Sequence, residues 1–172
     1  MHHYFLRDGD LALVKFILEH VDSSITPDKN GCTPITEAAH YGHNEVIKVL
    51  ITYTDNPNAT GADDIPTPIF TAAFFGHAEV VKTLGACCGD NPNVHEGQIS
   101  VTPMHCAADK GHIGVVKALI ELIDDPWDCV KPDSLGETPI HLAARGGHIE
   151  VVKALAAVTS AEDVNNRSIG VY

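Results

Sequence analysis

The chain has 172 residues, of which 44% are apolar and 20% are charged, and this composition excludes a long disordered protein. Its formal net charge of −12 disfavours nucleic acids and acidic lipid surfaces as ligands, because like charges repel at long range. Neither an apolar run long enough to span a membrane nor a secretory signal occurs in the sequence. We therefore expect no nucleic-acid partner and no membrane partner.

In chain order, the first element is a degenerate copy of a unit that then recurs in full. Residues 9–18 align with residues 147–156 of the last copy. Four full copies open with Thr-Pro, at Thr33, Thr67, Thr102 and Thr138, and the intervals between these threonines are 34, 35 and 36 residues. A period of this size predicts a row of small stacked units and not a single globular core.

The last copy shows how one unit is built. Residues 134–136 form a predicted turn, Thr138 is placed to cap a helix, and Pro139 takes the first helical position, where its missing N–H costs nothing. Residues 146–147 are both glycine and predict a left-handed end to this short helix. A longer helix with an apolar face starts near His148. Neither helix is stable alone, so stacking on neighbouring units must stabilise both.

The repeated stretches carry a family resemblance. They read GCTPITEAAHYGHNEVIKVLI, IPTPIFTAAFFGHAEVVKTLG, SVTPMHCAADKGHIGVVKALI and GETPIHLAARGGHIEVVKALA. This pattern resembles the consensus of the ankyrin-repeat family, in which a turn is followed by G-x-TPLH-x-AA-x-x-GH-x-x-VV-x-x-LL. The resemblance implies an all-α solenoid of stacked helix-loop-helix units with β-hairpin or turn fingers. It also implies one domain over residues 1–172, with units at about 1–22, 28–54, 62–88, 97–123 and 133–159 and a partial finger at 163–172.

The copies depart from the family pattern in their connections. The family period is about 33 residues, and the extra residues here fall after the second helix, where Asn56-Pro57, Asn91-Pro92 and Asp125-Pro126 predict a turn. Ile65 and Ser100 replace the turn glycine in the second and third full copies. We expect the fingers of these two copies to be less regular.

The cysteines do not form a disulfide framework, because their number is odd and their spacing is irregular. They are Cys32, Cys87, Cys88, Cys106 and Cys129. Such a set indicates a reducing compartment, so we expect a protein of the cytoplasm or the nucleus. Cys32 lies in a predicted finger, and we expect it to be the most exposed of these thiols and to stay free.

The 11 histidines raise the alternative of a metal-dependent or thiol enzyme. Six of them recur at fixed repeat positions: His43, His77, His112 and His148 follow the loop glycine, and His105 and His141 follow Thr-Pro-x. Successive copies lie one unit apart, which is too far to share a zinc ion at about 2.0–2.1 Å from each nitrogen. We therefore expect these side chains to bond to the turn backbone, and we predict no metal, no cofactor and no catalytic residue.

Positions at which the copies differ are free of a common packing role and are available for recognition. The family resemblance implies that partners contact the finger tips and the exposed end of the first helix. On this sequence those positions are Lys29, Asn30, Cys32, His40 and Tyr41; Asp63, Asp64, Pro66, Phe74 and Phe75; Gln98, Ile99, Val101, Asp109 and Lys110; and Ser134, Leu135, Glu137 and Arg145. We expect Tyr53, near the end of a second helix, to border the same groove.

Phe74 and Phe75 are the strongest candidates in this set. Adjacent helical residues point about 100° apart, so one neighbour can hardly bury both rings. Tyr41 on one side, and Ile99 and Val101 on the other, would extend the apolar patch. Aromatic residues flanked by polar ones are typical of an interaction hot spot. The alternative is that one or both rings fill a gap beside the irregular neighbouring fingers.

Taken together, these patterns predict a monomeric, non-catalytic module that binds another protein on an acidic concave face. The partner is expected to carry basic and apolar features, because the chain is acidic and the central candidates are aromatic. A structural spacer within a longer array is the main alternative, since the sequence stops inside a partial finger.

Overall fold

The computed structural model describes residues 8–20, 26–59, 65–88, 91–93 and 100–159. The chain divides into two compact units, Met1–Asp90 and Asn91–Tyr172. Asp63, Asp64, Gln98 and Ile99 lie outside the described residues, as does the partial finger at 163–172. Within the described part of the chain, no helix has the length and apolar character needed to cross a membrane.

The first unit consists of one helix followed by two helix pairs. They are α1 (Leu11–His20), α2 (Pro34–Tyr41), α3 (Asn44–Leu50), α4 (Pro68–Phe75) and α5 (Ala78–Cys88), with a 3-10 helix at Ile51–Tyr53. The first helices α2 and α4 pack side by side, and the second helix α3 packs against both α1 and α5.

The second unit consists of two such helix pairs. Its helices are α6 (Pro103–Lys110), α7 (Ile113–Leu122), α8 (Pro139–Arg145) and α9 (Ile149–Thr159), with a 3-10 helix at Pro126–Cys129. The first helices α6 and α8 pack side by side, as do the second helices α7 and α9. Stacked helix pairs therefore confirm the all-α class, while the single-domain organisation stays a prediction.

The Thr-Pro step starts every first helix, as the sequence predicts. The hydroxyl of Thr33 accepts a hydrogen bond of 3.1 Å from the N–H of Thr36, and that of Thr67 accepts one of 3.2 Å from Phe70. These bonds satisfy backbone donors that lie too early in the helix to find a partner within it. Proline follows the threonine at the first helical position in all four cases.

Small side chains line the contact between neighbouring first helices. In α2, α4 and α6 both alanines of the Ala-Ala step are 0% exposed; they are Ala38, Ala39, Ala72, Ala73, Ala107 and Ala108. Methyl groups let the helix axes approach closely, and the burial removes these faces from water. In α8, Ala143 is buried but Ala144 is exposed. The core of each unit therefore combines these alanine methyl groups with larger buried side chains, such as Ile47, Leu84, Leu119 and Leu155.

Asparagine side chains fix the connection before the next repeat. The side-chain oxygen of Asn58 accepts a hydrogen bond of 2.9 Å from the N–H of Ile69, at the second residue of α4. Asn93 makes the same bond, of 2.8 Å, to the N–H of Met104 in α6. Each asparagine thus satisfies a helix N–H eleven residues ahead. The Asx-Pro turns that we predicted bring both side chains into place.

Loop glycines and loop histidines from successive repeats meet. Gly42 and Gly111 end their helices with φ of +75° and +73°. The ring of His77 lies over Gly42, and the ring of His148 lies over Gly111. His148 Nε2 is 2.9 Å from the carbonyl oxygen of Asp109, the residue two before Gly111, and donates to it. The expected backbone contact of these histidines is confirmed, and it is made to the preceding repeat.

Gly111→Ala should destabilise the second unit more than Gly147→Ala. Both glycines have nearly equal φ, +73° and +72°, so either alanine suffers a left-handed strain of about 1–2 kcal/mol. A Cβ at residue 111 would also lie 2.7 Å from Cε1 of His148, whereas one at residue 147 meets nothing within 4 Å. This overpacking should cost about 1–3 kcal/mol more. Urea unfolding followed by Trp127 fluorescence measures the difference, and equal losses in the two variants would contradict the contact.

His105 is buried within the cap of α6. Its Nδ1 accepts hydrogen bonds from the hydroxyl and the N–H of Thr102, at 2.8 and 3.3 Å, and its Nε2 donates to the carbonyl oxygen of Glu137 at 3.1 Å. This pattern requires a neutral ring with its proton on Nε2. Burial lowers the pKa of His105, although the Glu137 carbonyl and the charges of Asp133 and Glu137 act in the opposite direction.

The stability of the second unit should therefore fall in acid through His105. The unfolded chain takes up this proton near pH 6.5, but the folded chain does so only at a lower pH. The contribution of the neutral ring is complete above pH 6.5 and is lost as the pH falls from there through the folded pKa. Urea unfolding at about pH 7.5 and about pH 5 should show a smaller decrease for His105→Gln than for the natural chain. Equal decreases in both proteins would contradict this linkage.

Candidate functional site

Aspartate side chains shape the two described fingers. One carboxylate oxygen of Asp28 accepts from the N–H groups of Asn30 and Cys32, at 2.8 and 2.9 Å. Asp133 does the same for Leu135 and Glu137, at 2.8 and 2.9 Å. The backbone N–H of each aspartate also donates to the carbonyl four residues ahead. The residues at the finger tips are therefore held on a fixed turn.

Candidate residues at these tips are accessible to a partner. Lys29 and Asn30 are exposed in the first unit, and Ser134 and Leu135 are exposed in the second. Leu135 is 72% exposed, which is unusual for a leucine in a turn held by hydrogen bonds. These four residues are available for contact, and their role in binding stays a prediction.

The first helices of the first unit end in a group of rings, which we call the aromatic cluster: His40, Tyr41, Phe74 and Phe75. The ring centroids of His40 and Phe75 are 4.1 Å apart, and those of Phe74 and Phe75 are 5.1 Å apart at an interplanar angle of 72°. Tyr41 lies edge-on to His40 at 4.6 Å. The cluster thus joins α2 to α4 through the His40–Phe75 pair, whose rings are tilted by 51°. The Phe74–Phe75 pair within α4 has the edge-to-face geometry that aromatic rings prefer.

The aromatic cluster is packed and yet accessible. Tyr41 is 37% exposed, Phe74 is 41% exposed and Phe75 is 42% exposed. Each ring therefore keeps a large part of its surface in contact with water while the ring contacts fix its position. Half-exposed, positioned rings favour the binding interpretation over the filling of a gap.

Charged residues stand at the equivalent positions of the second unit. Asp109 and Lys110 end α6 and form an ion pair of 3.3 Å. Arg145 ends α8 and donates to the Glu137 carboxylate at 2.6 Å. Ion pairs that are this exposed contribute about 0–1 kcal/mol. The two units therefore present different chemistry on the same backbone frame.

The remaining candidates differ in how accessible they are. Cys32 and Val101 are half-buried, and Pro66 is exposed just before α4. Ser100, beside Val101, takes the left-handed φ of +54° that a turn glycine would adopt. Tyr53 is 49% exposed in the 3-10 helix after α3, and its place beside the groove stays a prediction.

Glu37 is a feature of the first-helix surface that the sequence analysis missed. It lies four residues before Tyr41 in α2, so the two side chains are neighbours on one helix face. The repeat-equivalent residues are Thr71, Cys106 and Leu142, none of which is charged. The sequence signal for this residue is that only one of the four copies carries a charge at this position. One carboxylate oxygen of Glu37 lies 3.7 Å from Cys32 Sγ, in the finger that precedes α2.

Cys32 and Cys129 are not activated nucleophiles, because the pKa of each thiol is raised. Burial raises the pKa of Cys32 to about 11, with the carboxylates of Glu37 and Asp28 acting in the same direction. Burial also raises the pKa of Cys129 to about 11, aided by its aspartate neighbours. The expectation that Cys32 is the most exposed thiol is wrong, because Cys32 is half-buried behind Glu37 whereas Cys87 is exposed.

Among the described residues, no group of three or more histidine, cysteine or acidic side chains is arranged to hold a metal ion. The histidines instead contact backbone groups, as His77 Nε2 does at 3.0 Å from the carbonyl oxygen of His40.

Comparison with known proteins agrees with the repeat pattern. A family model described as ankyrin repeats (3 copies) matches residues 1–96 and 69–168. An ankyrin repeat-containing protein of Schizosaccharomyces pombe is 47% identical over 38 residues. That alignment covers 20% of this chain and spans only 18% of the length of the yeast protein.

Alkylation should discriminate between the thiols. The thiolate is the reactive form, and a pKa of about 11 leaves roughly one thiol in a thousand ionised at pH 8. Iodoacetamide should therefore label the exposed Cys87 well before Cys32 and Cys129, as followed by peptide mass spectrometry. Glu37→Gln removes one cause of the raised pKa and should accelerate labelling of Cys32 but not of Cys129. Labelling of Cys32 as fast as that of Cys87 would contradict the assignment.

Proposed function

The chain belongs to the ankyrin-repeat family, and we propose that it is a non-catalytic module that binds another protein through its finger tips and first-helix ends. Ankyrin repeats are in general protein–protein interaction modules and are typically without catalytic activity. The proposal extends this general role to a particular face of this chain, centred on the aromatic cluster of the first unit.

The observation that carries the proposal is the exposure of Phe74 and Phe75 at the end of α4. Both rings are near 40% exposed although they contact each other and, through Phe75, His40. Burying such rings against a partner would release water from apolar surface without requiring the rings to be ordered first. Preorganised aromatic anchors of this kind supply most of the affinity in many interfaces.

The charge of the chain indicates what kind of protein would bind. With a formal net charge of −12, the chain attracts a basic partner over long distances and raises its association rate. The finger tips add exposed polar groups to the proposed face, including Lys29 and Asn30. A partner with a basic surface and an apolar anchor fits this combination.

Replacing Phe74 and Phe75 by alanine should weaken capture of the native partner at least tenfold, because both anchors are lost. The helices should persist, since neither ring belongs to the buried core. Affinity capture from cells, quantified by mass spectrometry and repeated with the purified partner, measures the loss. Far-UV circular dichroism checks the helical content.

Phe16→Ala is the matched control for this experiment. Phe16 is also an exposed phenylalanine of the first unit, 59% accessible, and its ring stacks on that of His20 at 4.4 Å. It lies in α1, which is a second helix and not part of the proposed face. If Phe16→Ala and the double variant lose the partner equally, the face has been assigned wrongly.

A further inference from the structure

The first-helix surface of the first unit lacks any lysine or arginine. Helix α2 reads PITEAAHY and helix α4 reads PIFTAAFF. In the second unit, by contrast, α6 ends in Lys110 and α8 ends in Arg145. The aromatic cluster therefore occupies the positions at which the second unit carries its cations.

Helix electrostatics make these positions favourable for positive charge. Peptide dipoles leave a partial negative charge at the C-terminal end of a helix, which lysine or arginine in the last turn usually compensates. The last turn of α4 holds no basic residue. The ends of α2 and α4 also lie side by side, because these two helices pack together. A partial negative charge thus lies at the end of α4 beside the aromatic cluster, whereas at the end of α2 His77 already donates to the carbonyl oxygen of His40.

The aromatic cluster and Glu37 add two further attractions for a cation. The face of an aromatic ring is electron-rich and attracts a cation within about 6 Å of its centre. Phe74 and Phe75 are 41% and 42% exposed, so each ring offers accessible surface to such a cation. Glu37 supplies a full negative charge on the same helix face as Tyr41. The first unit is acidic as a whole, with 12 Asp or Glu and 5 Lys or Arg in residues 1–90.

From the aromatic cluster, the end of α4 and Glu37, we infer that this surface binds an arginine side chain of a partner protein. The guanidinium group stacks on the exposed face of Phe74 or Phe75 and lies within reach of the Glu37 carboxylate, while its methylene stem covers the apolar rim. Arginine fits better than lysine, because its planar, weakly hydrated group stacks on rings and bonds a carboxylate through two N–H groups. This inference rests on the proposed function and specifies the anchor that the partner provides.

Peptide selection on the full chain tests the inference. A phage-displayed library of random linear peptides is selected on the natural chain and depleted on the Phe74→Ala/Phe75→Ala variant. Peptides that survive should share an arginine beside an apolar residue. Synthetic versions of these peptides are then measured by fluorescence polarisation with arginine, citrulline or lysine at that position. Citrulline has the shape of arginine but no charge, so it isolates the contribution of the cation.

Exchange of arginine for citrulline should weaken binding about 3- to 30-fold, which is the range of a cation–π contact from an exposed to a desolvated site. Phe75→Leu retains apolar volume but removes the ring, and it should weaken the arginine peptide more than the citrulline peptide. Glu37→Gln should also act selectively on the arginine peptide. Phe16→Ala, the control on α1, should change neither affinity.

The outcomes separate the two proposals. Peptides that need Phe74 and Phe75 but bind equally well with citrulline, or that lack arginine, would overturn the inference and leave the binding face intact. A selection that yields no peptide depending on these two rings would count against both the inference and the proposed face. Tighter binding of the lysine peptide than of the arginine peptide would overturn the assignment of a guanidinium group.

Discussion

Contact between the alanine faces of neighbouring first helices is the interaction on which the rest of the structure depends. The helices are short, such as the 7 residues of α3 and the 11 residues of α5, and helices of this length are marginal in water. They persist through packing: Ala38, Ala39, Ala72 and Ala73 are buried in α2 and α4, and Val46, Ile47 and Leu84 are buried in α3 and α5. Stability is therefore a property of neighbouring pairs and not of single repeats. The surface available to a partner therefore lies on helices and fingers that stabilise one another by packing.

A shared frame allows the two units to differ in surface chemistry without differing in backbone. Asp28 and Asp133 form the same turn in their fingers, and Thr33 and Thr102 cap their helices in the same way. On this frame the first unit displays rings and the second unit displays ion pairs. The two charged groups of an ion pair at an exposed helix end neutralise each other. Aromatic rings at the same positions instead leave apolar surface accessible. Because of this contrast, we propose the first unit as the main binding region for a partner protein.

Much of the fold follows from the sequence because it is local and recurs. Threonine caps, proline at the first helical position and left-handed loop glycines each need only a few adjacent residues, and four copies repeat the same signal. The capping of Ile69 by Asn58 was not predictable, because it joins residues eleven apart through a turn whose course only the structure gives. Exposure was also hard to predict: Cys32 lies in a finger and yet is half-buried, because Glu37 and the turn of Asp28 cover it. The role of Glu37 was not predicted, because its residue type does not reveal it. Glu37 is a neighbour of Tyr41 through its position four residues earlier in α2.

The meeting of a loop glycine with the histidine of the next repeat bears on how such a chain grows. His77 lies over Gly42, and His148 lies over Gly111, so every full copy carries the two halves of this contact on its own loop. A duplicated repeat inserted into the array would supply both residues of this contact. Its glycine would lie under the histidine of the following copy, and its histidine would lie over the glycine of the preceding copy. Gene duplication can therefore lengthen the protein without requiring a compensating substitution at either new junction.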